Sequence, residues 1–352
     1  MPSPPDPTGG GASQPDPGAA LRQIAYILET QGAASYKVQA FRRAAAAVDD
    51  VGPDRLRQLA GSGRLPSLPG VGETTARAVT EALAGEVPSY LRALQERSRE
   101  PLEGAAAGLR AALRGDCHTH SDWSDGGSPV REMADAAIAL GHDYLALTDH
   151  SPRLKVANGL DAERLLRQLD LVAQLNEELE PFRILTGIEV DILDDGGLDQ
   201  QEELLGRLDV VVASVHSKLR MERRRMTARM VAAIESAHAD ILGHCTGRLL
   251  AGRGREQSSF DAGAVFEACR RAGTAVEVNC RPERQDPPDD LLRLAIQAGC
   301  LLAVDTDAHA PGQLEWLDLG CGRAACAGAE AGRIVNAWPL ERLLAWTSGA
   351  GL

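Results

Sequence analysis

Between residues 21 and 99 apolar residues recur three and four positions apart, as at Leu21, Ile24, Ile27 and Leu28 and again at Leu83, Leu91 and Leu94. That spacing places apolar side chains on one face of each helix and predicts a small all-helical domain over 21–99. After Gly115 the texture changes. Short apolar runs, YLALT (144–148), ILTGIEV (184–190), VVVAS (210–214), DILGH (240–244), AVEVN (275–279) and LLAVDT (301–306), alternate with helical segments. Such alternation predicts β/α units around a parallel sheet, a closed or nearly closed barrel over 115–348. The Ala/Gly-rich stretch 100–114 reads as a linker or a loosely packed helix. Residues 1–20, rich in Pro and Gly and poor in anything large to bury, read as a disordered tail.

Composition adjusts this picture. The chain carries 37 basic and 50 acidic residues, a formal charge of -13, which argues against coating nucleic acid or an anionic membrane with the whole surface. The charge is partitioned, however. Residues 21–99 hold eleven basic and eight acidic residues, whereas 100–352 hold twenty-six and forty. A local basic site in the helical part is therefore compatible with the total. Seven cysteines without a C-x-x-C pair fit a reducing compartment, so the cytoplasm is the expected location. No apolar run reaches the roughly 18 residues of a membrane span, and the N-terminus lacks a signal peptide's order of basic then apolar residues. No membrane association is expected.

The polar residues at the ends of the apolar runs carry the chemistry. GDCHTHSDWSDGG (115–127) supplies His118, His120 and Asp125; His150 follows YLALT; Glu189 sits in GIEVD; His216 follows VVVAS; His244 closes DILGH; Asp307 and His309 follow LLAVDT. Six of the eight histidines fall at these points. In β/α barrels the loops at the strands' C-terminal ends bring distant residues together. A shared metal site explains the pattern more economically than many separate hydrogen-bonded histidines.

HTHSDWSDG, LTDHS, GIEVDI, SVHSK, GHCTGRLL and TDAH, in that order, resemble the ligand motifs of the polymerase and histidinol phosphatase (PHP) family. The resemblance covers about 115–348. It implies a distorted (β/α)7 barrel holding up to three divalent ions, with His118, His120, Asp125, His150, Glu189, His216, His244, Asp307 and His309 as ligands and Glu189 as a bridge. Mixed imidazole and carboxylate ligation suits Mn, Zn or Fe, and phosphoester hydrolysis is the reaction such ions promote. Glu189 and Asp307 are expected to serve the reaction. Arg248 and Lys218 are candidates for holding the substrate phosphate, Arg248 the better because its planar fork matches two oxygens; surface solvation is the alternative for each. Asn279 and Arg281 lie just past a strand end, and Asp149 is a candidate for orienting His150. Asp116, Asp122 and Asp191 are expected to shape loops, His142 and His238 to lie outside the site. The family commonly has proline where this chain has Cys245; neither Cys245 nor Cys117 is expected to be a ligand.

In the helical part, LPGVG (68–72) before ETTARAVTEAL is similar to a helix-hairpin-helix, whose Gly70, Val71 and Gly72 backbone, with Lys37 and Arg42, would hold a DNA phosphate without reading sequence. IAYILETQGAASYKVQAFRRAAAAV resembles the N-terminal domain of family X DNA polymerases, in which the same two modules flank a polymerase core. Here only about twenty residues separate Leu94 from Gly115, too few for a domain of upward of roughly 50, so polymerase activity is expected to be absent. Lyase activity is expected to be absent too, since ETTARAVTEAL holds no lysine. The expected function is a DNA 3′-to-5′ exonuclease or 3′-end processing phosphodiesterase. The alternatives are a small-molecule phosphomonoesterase of the histidinol-phosphatase kind and a non-catalytic DNA-binding protein.

Overall fold

The computed structural model describes residues 16–97, 101–252 and 254–349. The chain divides at residue 100 into two compact units.

The first unit is all-helical: α1 (Pro17–Thr30), α2 (Ser35–Val51), α3 (Pro53–Gly61), α4 (Glu73–Leu83) and α5 (Ser89–Gln95). Leu21, Ile24, Phe41, Leu56, Val79 and Leu91 meet in its core. Helix α1 starts within the stretch expected to be a disordered tail. Asp16 accepts from the Ala19 N–H at 2.9 Å and Pro17 occupies the first turn, so a cap and a preset φ open the helix four residues before its first large apolar residue. Residues 1–15 of that expectation lie outside the described residues. The hairpin turn between α3 and α4 depends on glycine. Gly70 has φ +82° and a Cβ there would come within 3.2 Å of Arg43 Cβ. Val71 is buried, and Thr75 Oγ1 accepts from the Gly72 N–H at 2.9 Å, capping α4.

The second unit begins with α6 (Gly104–Ala112), in the stretch expected as a linker or a loosely packed helix. Leu109 and Leu113 enter the barrel's core and Arg110 pairs with Asp318 at 3.1 Å, so these residues belong to the barrel. There follow β1 (Gly115–Thr119), α7 (Val130–Ala139), β2 (Tyr144–Leu147), α8 (Ala162–Leu179), β3 (Arg183–Asp191), α9 (Glu202–Leu205), β4 (Val210–Ser214) and α10 (Arg223–Ile234). The chain then continues through β5 (Ile241–Leu242), α11 (Ala262–Ala272), β6 (Ala275–Asn279), α12 (Asp289–Gln297), β7 (Leu302–Asp305), α13 (Leu317–Ala327) and α14 (Leu340–Thr347). The seven strands pair in chain order, each parallel to the next. They read as continuous apolar runs because both faces are covered.

Below the polar end, Tyr144, Leu185, Val212 and Ile241 pack against Trp338, Leu343 and Trp346 from the C-terminal segment, closing the barrel floor. The return from β7 to β1 is made differently. Outside one bridge at Thr119 and Ala308, side chains join the two edges. Asn336 donates to Gly115 O at 3.0 Å and Val304 O at 2.7 Å and accepts from Val304 N–H at 3.1 Å. Asp305 accepts from Cys117 N–H at 2.8 Å, and Asp116 accepts from the Thr306 hydroxyl at 2.5 Å. The barrel is thus nearly closed, with a polar seam.

Candidate metal centre

At the C-terminal ends of the strands six imidazoles and three carboxylates converge. Glu189, on β3, is buried at the centre. One oxygen lies 2.8 Å from His150 Nδ1, 3.4 Å from His118 Nε2 and 3.6 Å from His120 Nε2. Its other oxygen lies 2.8 Å from His244 Nε2 and 3.2 Å from His216 Nε2. Asp125 approaches His150 and His309 at 3.4 and 3.3 Å, and Asp307 Oδ1 lies 3.3 Å from His120 Nε2. Asp307 holds φ +53°, a left-handed conformation that costs a non-glycine residue energy and recurs at functional sites.

Three overlapping groups can each hold an ion: His120, Asp125, His150 and His309; His118, His120 and Glu189; and His150, Glu189 and His216. Within a group the ligand atoms lie within 4.8 Å of one another. His244 and Asp307 stand at the edges of these groups. The fit to metal is chemical as well as geometric. Both Glu189 oxygens, His118 Nε2, both nitrogens of His120 and of His216, and His150 Nδ1 are buried without a hydrogen-bond partner among the described residues. Leaving so many polar atoms unsatisfied would cost about 1–3 kcal/mol each; ligation of cations satisfies them together. Burial works against charge on Glu189, yet His216, His118, His150 and His244 hold its carboxyl well below the usual range. Burial first, and then His309 and His150, keep His120 well below the ordinary imidazole value, in the neutral form that binds metal.

The surrounding shell orients these ligands. Glu277, on β6, accepts at 2.5 Å from the His244 N–H and sets its other oxygen 2.5 Å from His118 Nδ1. Such a carboxylate fixes the imidazole's tautomer and aims Nε2 inward. Asp191 accepts from the His216 N–H at 3.0 Å, and Asn279 donates to Asp307 at 3.2 Å. Asp149, expected to orient His150, instead accepts from the Ser121 N–H at 2.8 Å and from the Ser121 and Ser124 hydroxyls, pinning the loop that leads to Asp125. Cys117 packs into the barrel floor and Cys245 is buried beside Asp286, at the edge of hydrogen-bonding range.

The centre opens into a cleft of about 310 Å³ lined by Asp125, His150, Glu189, His216, Asp307 and His309 together with Leu154, Val156, Leu249, Arg281 and Arg284. Two expected phosphate-holding residues are elsewhere. Arg248 donates to the carbonyls of Arg284 (2.9 Å) and Gln285, so it buttresses the 281–285 turn. Lys218 is exposed and paired with Asp194. Arg281 and Arg284 are the cations that face the cleft: Arg281 Nη1 lies 3.5 Å from Asp307 Oδ1, and Arg284 Nε 3.3 Å from its Oδ2. Arg42, expected to touch DNA, is paired within the helical unit to buried Glu29 at 2.8 Å; Lys37 is exposed.

The sequence matches the PHP domain over residues 116–281 and a helix-hairpin-helix domain over 13–87. A probable phosphatase of Acetivibrio thermocellus is 31% identical over 204 residues, covering 55% of this chain and 78% of that protein. The chain belongs to the PHP family. The chain is also 41% identical over 229 residues to the DNA polymerase/3′-5′ exonuclease PolX of Bacillus subtilis (strain 168), a match that covers 65% of this chain. The chain spans only 40% of that protein's length. A solved histidinol phosphate phosphatase from Lactococcus lactis subsp. lactis aligns at 18% identity and a TM-score of 0.46, over 62% of this chain and 95% of its own, a likeness too loose to bear on function.

Glu277 and Arg284 do not stand out in the sequence as site residues. The signal for Glu277 was a single acid within the apolar run AVEVN, where a buried charge demands a partner. For Arg284 there was no signal that separated it from Arg248.

Proposed function

We propose that the chain is a metal-dependent phosphodiesterase acting on DNA ends, a 3′-to-5′ exonuclease or 3′-end processing enzyme without polymerase activity, working in the cytoplasm. The observation that carries this reading is the set of three overlapping ligand groups at the floor of an open cleft, in a chain that also holds a helix-hairpin-helix domain. His118, His120, Asp125, His150, Glu189, His216, His244, Asp307 and His309 would hold up to three Mn, Zn or Fe ions, with Glu189 shared. When bound, such ions acidify water, neutralise phosphate charge and stabilise a leaving oxygen. The chain's own residues do the rest. Glu277 and Asp191 keep His118 and His216 aimed at the centre, Arg281 and Arg284 attract the phosphate, and hydrolysis adds water's oxygen to phosphorus while a proton goes to the departing oxygen. In the helical unit the Gly70–Gly72 turn and the start of α4, with exposed Lys37 and Arg43, would grip backbone phosphate.

Labelled single-stranded and gapped DNA, incubated with Mn-loaded protein, tests this. Cleavage is expected in the wild type and a loss of at least about 10³-fold in Asp307→Ala, the scale on which a reaction's charge-stabilising groups contribute. Uncut DNA in both proteins refutes the reading. A phosphomonoesterase is the second reading, favoured by the similarity to a probable phosphatase. Truncation to residues 101–352 separates the two: a nucleic-acid enzyme loses affinity for its substrate, and the loss shrinks as salt rises, whereas a small-molecule enzyme does not.

A further inference from the structure

The barrel unit is acidic, yet one short stretch of it is strongly basic. KLRMERRR (218–225) holds five basic residues and one acid, where residues 100–352 as a whole hold twenty-six and forty. Three of the five, Arg223, Arg224 and Arg225, open α10. The first turn of a helix is the positive end of its dipole, where carboxylates are favoured and cations are repelled. Helices α7, α8, α9, α12, α13 and α14 each place an acid there, and α10 places none. Its cap is Glu222, whose two oxygens accept from the Arg224 and Arg225 N–H groups at 2.9 and 3.1 Å. The backbone donors of the turn are thereby satisfied, and the guanidinium groups are what it offers to solvent.

Two of the five basic side chains are neutralised. Lys218 pairs with Asp194, and Arg223 with Asp261 at 3.1 Å. Arg220, Arg224 and Arg225 are exposed, and their guanidinium groups make no hydrogen bond or ion pair among the described residues. The backbone that presents them is held in place from below. Arg229, buried further along α10, donates to Leu193 O at 2.8 Å and Ser217 O at 2.9 Å, tying the loop after β4 to the loop after β3. The loop after β4 starts at the ligand His216 and runs into α10, so the arginines stand at the strands' C-terminal end, the end that carries the metal centre. None of them lines the cleft.

We propose that Arg220, Arg224 and Arg225 form a docking face for the phosphate backbone of a nucleic acid strand, beside the metal centre and outside its cleft. Planar guanidinium forks match pairs of phosphate oxygens, and on an otherwise acidic unit a polyanion is met by local cations or repelled. Contacts of this kind position a strand without reading its bases. The inference rests on the phosphodiesterase reading, which brings a nucleic acid to the centre, and adds a grip on the barrel itself to the one in the helical unit.

A closed single-stranded circle of thymidylates, internally labelled, has no end for an exonuclease to attack, so its binding is read apart from cleavage. Full-length Mn-loaded protein is titrated with it by fluorescence anisotropy between about 50 and 200 mM salt. A variant carrying Arg220→Gln, Arg224→Gln and Arg225→Gln should bind about fifteenfold more weakly at the low end and nearly equally at the high end. Three lost phosphate contacts, at about 0.7 each, flatten the dependence of log affinity on log salt by about two. Hydrolysis of bis(p-nitrophenyl) phosphate, a diester with no strand attached, should be the same in both proteins. An unchanged salt slope in the variant, or no binding of the circle by the wild type, overturns the proposal. A fall in hydrolysis of the small diester overturns the placement of these arginines outside the centre. Polyglutamate that binds the wild type as tightly as the circle does, and is lost from the variant, assigns the face to an acidic protein segment and overturns the proposal as well. Salt-dependent binding that the variant loses, in a protein that leaves linear DNA uncut, refutes only the phosphodiesterase reading.

Discussion

Replacing Glu277 with glutamine changes no volume and removes one charge, which makes it a sharp probe of how the centre is supported. The carboxylate is fully buried. One oxygen meets His118 Nδ1 and the other the His244 N–H, each at 2.5 Å, with the Asn279 amide donating to the second at 3.2 Å. A glutamine offers one oxygen and one NH2, so either orientation turns one of these contacts into donor against donor. One buried N–H is then left without an acceptor, at a cost of about 1–3 kcal/mol. If His118 escapes by changing tautomer, its Nε2 carries the proton and no longer offers a lone pair to an ion. Loss of such an outer partner typically weakens metal affinity or activity by about 10–100-fold. Metal content after dialysis against graded chelator, measured by plasma mass spectrometry, should show less metal retained per chain, with a thermal midpoint lowered by several degrees. Glu277→Gln protein that holds its metal as tightly as wild type and melts at the same temperature would show that the imidazoles are oriented without this carboxylate.

Two further outcomes follow from buried polar groups elsewhere. His142 lies buried with neither ring nitrogen bonded among the described residues, and burial, aided by Arg110, lowers it from 6.5 to about 4. Its folded pKa is the lower one, so the unfolded chain takes up the proton first. The stability is complete above about pH 6.5 and is lost as pH falls through 4, roughly 3 kcal/mol in all. Denaturant melts between pH 7 and 4 should show a shallower acid loss in His142→Leu than in wild type; identical slopes refute it. Asn336→Ala removes the bonds to Gly115, Val304 and Asp305 and should cost about 2–4 kcal/mol in urea denaturation, whereas a loss under about 0.5 kcal/mol would mean that water replaces the amide.

The strand runs read from the sequence agree closely with the sheet, VVVAS and AVEVN residue for residue, because a parallel sheet covered on both faces leaves an uninterrupted apolar signature. Most of the centre was legible for a related reason: a histidine or acid just beyond an apolar run has few other places to go. The parts that were not legible are those set by partners distant in the chain. Arg248 and Arg284 have the same chemistry and both lie in loops; only the fold reveals that one is engaged by backbone carbonyls and the other is left facing the cleft. Arg42 looked like a surface cation until Glu29 was found buried against it. The 100–114 stretch, whose Ala and Gly content left a linker or a loosely packed helix equally open, forms a helix that Leu109 and Leu113 dock into the core.

The seam between β1 and β7 gives the centre a mechanical meaning. His118 and His120 belong to one edge and Asp307 and His309 to the other, and below them Asn336, Asp305 and Asp116 substitute for a backbone ladder. Ions held by ligands from both edges would therefore act as rivets across the joint at which the barrel is least continuous. Without them the joint would rest on the Thr119–Ala308 bridge and the side-chain seam alone, so that the occupancy of the centre and the outline of the cleft above it would be coupled.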